Sequence, residues 1–209
     1  MSRFLETIRI EEGIPALVEY HQERMDQTRF SVLHLRTPLS LIKHIHVPGN
    51  CRHGVFKCRI IYDSHIRKIE YLPYRKREIK TLVAVHANRL SYDFKYEDRS
   101  DLNVYASRLQ AGSEILFIRD NLITDTRYTN VAFFNGRNWF TPAKPLLKGT
   151  RLSCLLDQGI LSPMDLPATP GNTLHKFTHI RLFNAMIPWE ESITLSTNQI
   201  RWNNLFIKK

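Results

Sequence analysis

Short stretches in which apolar and polar residues alternate run through most of the chain. Residues 4–10 are an example, because Phe4, Glu6, Ile8 and Ile10 share one face and more polar side chains occupy the other. Successive side chains of a β-strand point to opposite faces, so this two-residue period predicts strands. The predicted strands cover residues 4–10, 39–47, 55–62, 66–72, 79–85 and 180–187, with one or two more in 193–209.

The segment from Ser113 to Arg151 has the densest pattern of this kind. Three short apolar runs are separated by two turn signals, Asp125 and Asn130 lie between the runs, and Gly149–Thr150 opens a helical stretch. Glycine followed by a helix is an arrangement that suits phosphate binding. The order of these features predicts a cofactor-binding cradle.

Three other stretches have the spacing of helices. The first follows Pro15, a residue that suits the first turn of a helix, and it carries Arg24. The second covers residues 102–109, and the third covers residues 151–158 and ends at a capping glycine. Because strands outnumber helices, we predict an α+β chain.

A change in composition suggests a division into two lobes. Near residues 88–94 the apolar strands give way to the polar segment S-Y-D-F-K-Y-E-D-R-S. With 209 residues the chain is long enough for two small lobes. We predict an N-terminal α/β lobe at 1–92 and a β-rich C-terminal lobe at 93–209.

The composition is that of an ordinary globular protein, with 43% hydrophobic and 24% charged residues. No apolar run approaches the roughly 18 residues of a membrane span, and the N-terminus lacks the pattern of a signal peptide. The cysteines do not have the spacing of a disulfide framework, so we predict reduced thiols in a cytoplasmic protein. They are Cys51, Cys58 and Cys154.

The net charge of +10 raises the question of nucleic-acid binding. The basic residues are densest in Tyr74–Arg77 and at Lys80, but no zinc-finger, RGG or RNP-type signature accompanies them. We therefore do not predict a nucleic-acid partner. The favoured interpretation is a solvated basic surface, part of which attracts an anionic cofactor or substrate.

Lys95 is the first candidate for chemistry. It lies among three aromatic residues, Tyr92, Phe94 and Tyr96. Partial burial of a lysine favours its neutral amine, which is the form that attacks a carbonyl carbon. The alternative is a solvated lysine on the outer face of a strand.

Three further residues suit the binding of an anionic, heteroaromatic ligand. Asp125 ends a predicted strand and could pair with a protonated ring nitrogen, or could bond its own backbone in a turn. Thr150 begins a predicted helix, where free N–H groups favour a phosphate, or it is an ordinary N-terminal cap. Arg24 could reach the same phosphate with its planar fork.

A group of histidines and cysteines does not predict a metal site. Zinc is the metal that His and Cys side chains favour, but their spacing here matches no closed structural site. The residues are His44, His46, Cys51, His53 and Cys58. The chain also has no G-x-S-x-G elbow, P-loop or dinucleotide fingerprint.

Four motifs, in order along the chain, resemble the class IV aminotransferase family. That family contains the pyridoxal phosphate (PLP) enzymes of the D-amino-acid and branched-chain aminotransferase type, together with aminodeoxychorismate lyase. The motifs are F-L-E-T-I-R-I-E-E-G with H-Q-E-R-M, E-I-L-F-I-R-D-N-L-I-T-D-T-R-Y-T-N-V-A-F-F, T-P-A-K-P-L-L-K-G-T-R and L-F-N-A-M. The resemblance implies the two-lobed D-amino-acid-aminotransferase-like fold.

The resemblance also implies roles for individual residues. Lys95, which is 19 residues before Glu114, falls near the position of the lysine that bonds the cofactor, and Lys80 in I-K-T-L is its rival. Asp125 falls where the family has a glutamate beside the ring nitrogen. Arg24, Thr150 and Asn184 fall on phosphate-binding positions.

The sequence departs from the family in three places. Asp125 is one methylene shorter than glutamate, Ala132 replaces an aromatic residue, and the turn before Arg151 is one residue shorter. The chain is also short for the family. No arginine clearly matches the position that would bind a substrate carboxylate. Arg59 and Arg99 are the candidates for this role.

The resemblance implies a PLP-dependent aminotransferase that acts on an amino acid and a keto acid. A homodimer is expected, since the family places its active site near a dimer interface. Two alternatives stay open, a PLP-dependent lyase like aminodeoxychorismate lyase and a non-catalytic relative that binds a partner through its basic surface.

Overall fold

The structure, a computed structural model, describes residues 2–107, 109–168 and 174–202. Two compact units make up the chain. The first contains Met1–Lys76 and Phe94–Asp98, and the second contains Arg77–Asp93 and Arg99–Lys209. These units divide the chain at other points than the boundary after residue 92, which stays a prediction. The predicted α+β class is confirmed.

The first unit is a four-stranded antiparallel sheet covered by one helix. Its strand order is β2-β1-β3-β4, and β1 pairs with β3 over its full length. The elements are β1 (Phe4–Glu11), β2 (Ile14–Pro15), α1 (Val18–Leu33), β3 (Val55–Tyr62) and β4 (Ile66–Pro73).

The apolar face that the alternation of β1 predicts is fully buried, although Leu5 and Arg9 on the opposite face are buried as well. Phe4, Ile8 and Ile10 are fully buried and share a hydrophobic cluster with Met25 of α1. Glu6 lies on the same strand face and is also fully buried. A buried carboxylate is costly unless it is paired, so its neighbours define a candidate site.

The second unit contains two sheets that enclose one hydrophobic core. The sheet orders are β13-β5-β6-β7 and β10-β9-β8-β11-β12, and the core draws Leu82 and Leu116 from one sheet and Phe133 and Ile180 from the other. Its strands are β5 (Thr81–His86), β6 (Ser113–Arg119), β7 (Leu122–Thr126), β8 (Asn130–Phe134), β9 (Trp139–Pro142), β10 (Leu161–Met164), β11 (His179–Phe183), β12 (Ile193–Ser196) and β13 (Ile200–Trp202). Its helices are α2 (Ser100–Val104) and α3 (Thr150–Asp157).

The predicted strand at 39–47 is wrong. This segment contains a 3-10 turn at Ile42–His44 and no ladder of strand hydrogen bonds. The backbone N–H of Leu41 donates instead to the side chain of Gln22 on α1, at 2.7 Å. The alternating pattern therefore reflects packing of a loop against a helix.

Two predicted helix boundaries are also corrected. Pro15 belongs to strand β2, where Ala16 donates its N–H to the carbonyl of Arg9, and α1 begins only at Val18. The helix expected at 102–109 is shorter and lies at Ser100–Val104. None of the helices in the described residues is long and apolar enough to span a membrane. The end of the tail, 203–209, is outside the described residues.

Candidate active site

The backbone around Lys95 is held against β1 in the first unit. The carbonyl of Lys95 accepts a hydrogen bond from the N–H of Leu5 at 2.9 Å, and Tyr96 forms a bridge with Phe4. The rings of Phe94 and Tyr96 pack on Phe4, with centroid distances of 6.5 and 5.2 Å. Lys95 itself is half-buried, as the aromatic residues around it predicted.

A buried group of three polar residues lies in the same unit. The carboxylate of Glu6 accepts from Nε of Arg24 at 3.0 Å and from Nη2 at 2.5 Å. Nδ1 of His21 lies 2.5 Å from Oε2 of Glu6, the oxygen that also accepts from Nη2 of Arg24. Glu6 and His21 have no exposed side-chain surface, and 13% of the Arg24 side chain is exposed.

The protonation of this group follows from burial and charge. Burial alone would raise the pKa of Glu6, but the charge of Arg24 and the hydrogen bonds from His21 and Arg24 outweigh it and lower that pKa from 4.5 to about 2. Burial lowers the pKa of His21, and the charges of Arg24 and Lys95 lower it further, against the opposite effect of Glu6. Glu6 is therefore ionised, and neutral His21 donates to it from Nδ1.

These contacts orient Arg24. Two of its three guanidinium nitrogens are bound to Glu6, which fixes the plane of the fork. Lys95 is close enough for its charge to act on His21. The structure thus brings two residues predicted from the sequence, Lys95 and Arg24, into one neighbourhood, and it adds Glu6 and His21. Sequence analysis did not single out Glu6 and His21, although Glu6 lies in the F-L-E-T motif and His21 in the H-Q-E-R motif.

Asp125 lies at the end of β7 in the second unit and is buried. Its Oδ1 accepts from Nδ2 of Asn130 at 3.0 Å, and its Oδ2 accepts from the N–H of Leu147 at 3.0 Å. Asn130 also donates to the carbonyl of Leu147 at 2.9 Å. These hydrogen bonds differ from the alternative of a turn aspartate that bonds its own backbone, because one partner is the side chain of Asn130, five residues away, and the other is Leu147, 22 residues away.

Burial is the main cause of an unusual pKa at Asp125. It raises the pKa of this carboxyl from 3.8 to about 7, although the N–H groups of Leu147 and Leu146 and the amide of Asn130 favour the charged form. A cation bound beside the carboxylate would lower the pKa again. Asp125 is thus a group whose ionisation depends on what binds next to it.

We expect the cofactor-free protein to lose stability as the pH rises from about 4 to about 7. Between the pKa of 3.8 in the unfolded chain and about 7 in the fold, the folded state binds the extra proton at Asp125, so its free energy of unfolding falls with rising pH. The resemblance to PLP enzymes implies a cationic ring nitrogen beside Asp125, and such a cation would reverse this effect. On that basis PLP is expected to raise the melting temperature more at pH 8 than at pH 5. Thermal unfolding with and without PLP measures this, and an unchanged pH difference in Asp125→Asn would contradict it.

Gly149 is required where α3 begins. A Cβ atom at this position would lie 2.2 Å from Oδ1 of Asn130, a distance that no neighbouring atoms tolerate. Thr150 is the first residue of α3 and is buried. The first N–H groups of a helix favour an anion, so Gly149 and Thr150 place such a helix end next to the residue that holds Asp125.

Gly149→Ala is expected to displace Asn130 and, through it, Asp125. We expect a lower melting temperature and weaker PLP binding, both measurable by thermal unfolding and by titration with the cofactor. Gly49→Ala is the matched control, since nothing lies within 4 Å of its added Cβ atom. Equal effects of the two substitutions would contradict the steric argument.

Asn184 closes the turn after β11. Its Oδ1 accepts from the N–H groups of Met186 and Ile187 at 2.8 and 3.1 Å, and its Nδ2 donates to the carbonyl of Tyr128 at 2.9 Å. A direct role on the phosphate stays a prediction. These contacts connect Asn184 to the segment that follows Asp125.

The other candidates have different surroundings. Lys80 is exposed and forms an ion pair with Glu78 at 3.1 Å, so it lacks the partial burial of Lys95. Arg59 pairs with Glu70 at 2.7 Å. Among the described residues, no group of three His, Cys, Asp or Glu side chains could hold a metal ion.

The chain was compared with known proteins by sequence and by structure. No family model matches it. An uncharacterized protein from Haemophilus influenzae is 28% identical over 188 residues, which are 89% of this chain and 98% of that protein. A fold IV transaminase from Curtobacterium pusillum has a TM-score of 0.72 at 16% identity and is covered over 78% of its chain, against 93% of this one. This second similarity establishes the fold.

A structure with higher sequence identity establishes the family. A candidate 4-amino-4-deoxychorismate lyase from Haemophilus somnus is 30% identical and superimposes with a TM-score of 0.80, covering 89% of this chain and 97% of its own. The similarity extends over nearly the whole of that protein, and it confirms the resemblance drawn from the four motifs. The chain therefore belongs to the class IV aminotransferase family of PLP-dependent enzymes, which includes the aminodeoxychorismate lyase-like proteins.

Proposed function

We propose that this PLP-dependent enzyme is an aminotransferase that moves an amino group between an amino acid and a keto acid. The observation that carries the proposal is the half-buried Lys95, whose charge helps to lower the pKa of His21 in the buried group of Glu6, His21 and Arg24. A lysine in such surroundings suits both cofactor attachment and proton transfer.

Each of the two units contains described residues whose chemistry suits one part of PLP. Asp125 accepts one hydrogen bond on each carboxylate oxygen, from Asn130 and Leu147, and the N–H of Leu146 also acts on it. An ionised carboxylate has about four acceptor positions, so Asp125 retains capacity for a protonated ring nitrogen. Burial raises the pKa of Asp125, and a protonated ring nitrogen beside it would lower that pKa and keep the carboxylate ionised. Arg24, already oriented by Glu6, carries the charge that a phosphate needs.

The proposed roles follow from these properties. Lys95 would bind the cofactor, and its Nζ would take a proton from the α-carbon of the substrate and later return it. Asp125 would hold the ring nitrogen in its protonated form, and Arg24, Thr150 and Asn184 would hold the phosphate. When bound, PLP supplies an electron sink that makes the α-proton removable.

Transamination needs one base that moves a single proton between two carbon atoms, and Lys95 alone provides it. An elimination also protonates the leaving group, and a lysine that has removed a proton can supply it. Glu6 and His21, which belong to the same unit as Lys95, are fully buried and bound to each other. The proposal therefore assigns the proton transfers to Lys95 alone, which is sufficient for transamination.

A lyase activity is the second candidate. It is supported by the relative from Haemophilus somnus, whose name assigns 4-amino-4-deoxychorismate lyase as its candidate activity. The two reactions use the same lysine and the same cofactor, so the substrate decides between them.

The deciding experiment is a substrate panel on the PLP-loaded protein. Keto-acid-dependent formation of new amino acids from D- or L-amino acids supports the aminotransferase. Conversion of 4-amino-4-deoxychorismate without a keto acid supports the lyase instead. Absence of a visible absorption band from bound PLP would overturn both, and would favour a non-catalytic relative.

We also propose a homodimer in the cytoplasm. All three cysteines are free and buried, which is consistent with a reducing compartment. Size-exclusion chromatography with light scattering tests the dimer, and a monomeric mass for the active protein would overturn it.

A further inference from the structure

Three arginines surround one aromatic ring in the second unit. The guanidinium carbons of Arg77 and Arg99 each lie 4.3 Å from the ring centre of Tyr128, and that of Arg127 lies 5.1 Å away. Guanidinium groups stack well on aromatic faces, so the ring holds three positive charges close together. We name these four residues the arginine cluster.

The charges of this cluster are only partly balanced. Arg127 is bound to the buried carboxylate of Glu114, with its Nε 2.6 Å from Oε1 and its Nη2 3.1 Å from Oε2. Arg77 and Arg99 form no ion pair with a carboxylate in the parts of the chain that the structure describes. Two neighbouring cations without a counterion attract an anion.

Arg99 has a further unmet requirement. One of its nitrogens, Nη2, donates to the carbonyl of Arg127. Its buried Nε has no hydrogen-bond partner among residues 2–107, 109–168 and 174–202. A buried donor without a partner is costly, and an oxyanion is the ligand that satisfies a guanidinium most strongly.

A cavity of about 500 Å³ adjoins the cluster. Arg77 and Arg127 line it with the polar residues Gln110 and Ser113. The carboxylates of Glu78 and Glu114 also line it, but each is already paired, with Lys80 and Arg127 respectively, which leaves Arg77 as the lining cation without a carboxylate partner among the described residues. This volume is within the range of small-molecule sites. None of the residues proposed to hold PLP in this unit lines the cavity; these are Asp125, Thr150 and Asn184.

We propose that the arginine cluster and this cavity form a second anion-binding site, separate from that of the cofactor, for a small molecule that carries a carboxylate or phosphate group. Arg77 lines the cavity and provides the charge there, and Arg99 adds a second cation on the same Tyr128 ring. Gln110 and Ser113 provide neutral hydrogen-bonding groups. The proposal does not depend on which reaction the enzyme catalyses.

Titration calorimetry on the PLP-saturated protein at low salt tests the site, with succinate and inorganic phosphate as probes and succinamide as the uncharged control. We expect saturable binding of at least one anion and none of succinamide. Arg77→Gln is expected to weaken binding by about tenfold, the effect of losing one charge-assisted hydrogen bond. Arg77 is exposed, so this change leaves the fold intact.

Arg75→Gln is the matched control, because Arg75 is also exposed, lies two residues away and is outside the cluster. It is expected to leave the affinity unchanged. Binding by succinate alone or by phosphate alone supports the site and identifies the preferred group. Absence of saturable binding, or equal weakening by both substitutions, overturns the proposal. Loss of the PLP absorption band in Arg77→Gln would also overturn it, since the cluster would then belong to the cofactor site.

Discussion

Lys95→Ala is expected to abolish covalent attachment of PLP and to reduce turnover by about a thousandfold or more. Lys95 is the proposed point of attachment and also the proposed base, so its removal takes away both functions. Borohydride reduction makes the bond between lysine and cofactor permanent. Mass spectrometry of the digested protein then identifies the modified peptide, which we expect to contain Lys95.

Lys80→Ala is the control for this experiment. Lys80 is exposed and paired with Glu78, so its replacement is expected to leave the absorption band and the turnover unchanged. A modified peptide that contains Lys80, or a full absorption band in Lys95→Ala, would show that the assignment of the lysine is wrong.

Glu6→Gln is expected to lower the free energy of unfolding by about 3 kcal/mol, because it leaves the largely buried charge of Arg24 without its partner. The neutral amide also presents an N–H₂ group to the donors of Arg24 or His21. Chemical denaturation at pH 7 measures the loss. We expect a parallel loss of PLP affinity, since Arg24 is no longer held in place.

The effect of Glu6→Gln has a defined pH dependence. The pKa of Glu6 is lowered in the fold, so its contribution to stability is complete above its ordinary value of 4.5 and is lost as the pH falls towards about 2. The difference between wild type and variant should therefore shrink below pH 4. Glu70→Gln is the control, because Glu70 forms a more exposed ion pair with Arg59 and its loss should matter much less. Equal destabilisation by the two substitutions would contradict the argument from burial.

Much of the fold could be predicted from local patterns. Strands β1, β3 and β4 lie within a residue of their predicted positions, because a two-residue alternation is a property of the strand itself. Helix α3 was predicted from its spacing and from Gly159, whose positive φ of 68° suits the end of a helix. The same alternation misled at 39–47, where the partner of the backbone is a side chain of α1.

The candidate site also combines features that local sequence predicts with contacts between residues that are distant in sequence. The sequence by itself was sufficient to identify the four family motifs, and these motifs predicted Lys95 and Asp125 as site residues. Only the tertiary structure decided that Glu6 binds His21 and Arg24, which lie 15 and 18 residues away, and that Asp125 binds Leu147, 22 residues away. The pKa of a carboxyl depends on its burial and its neighbours. One acid is therefore held ionised and the other has its pKa raised to about 7, a difference that residue type and spacing do not contain.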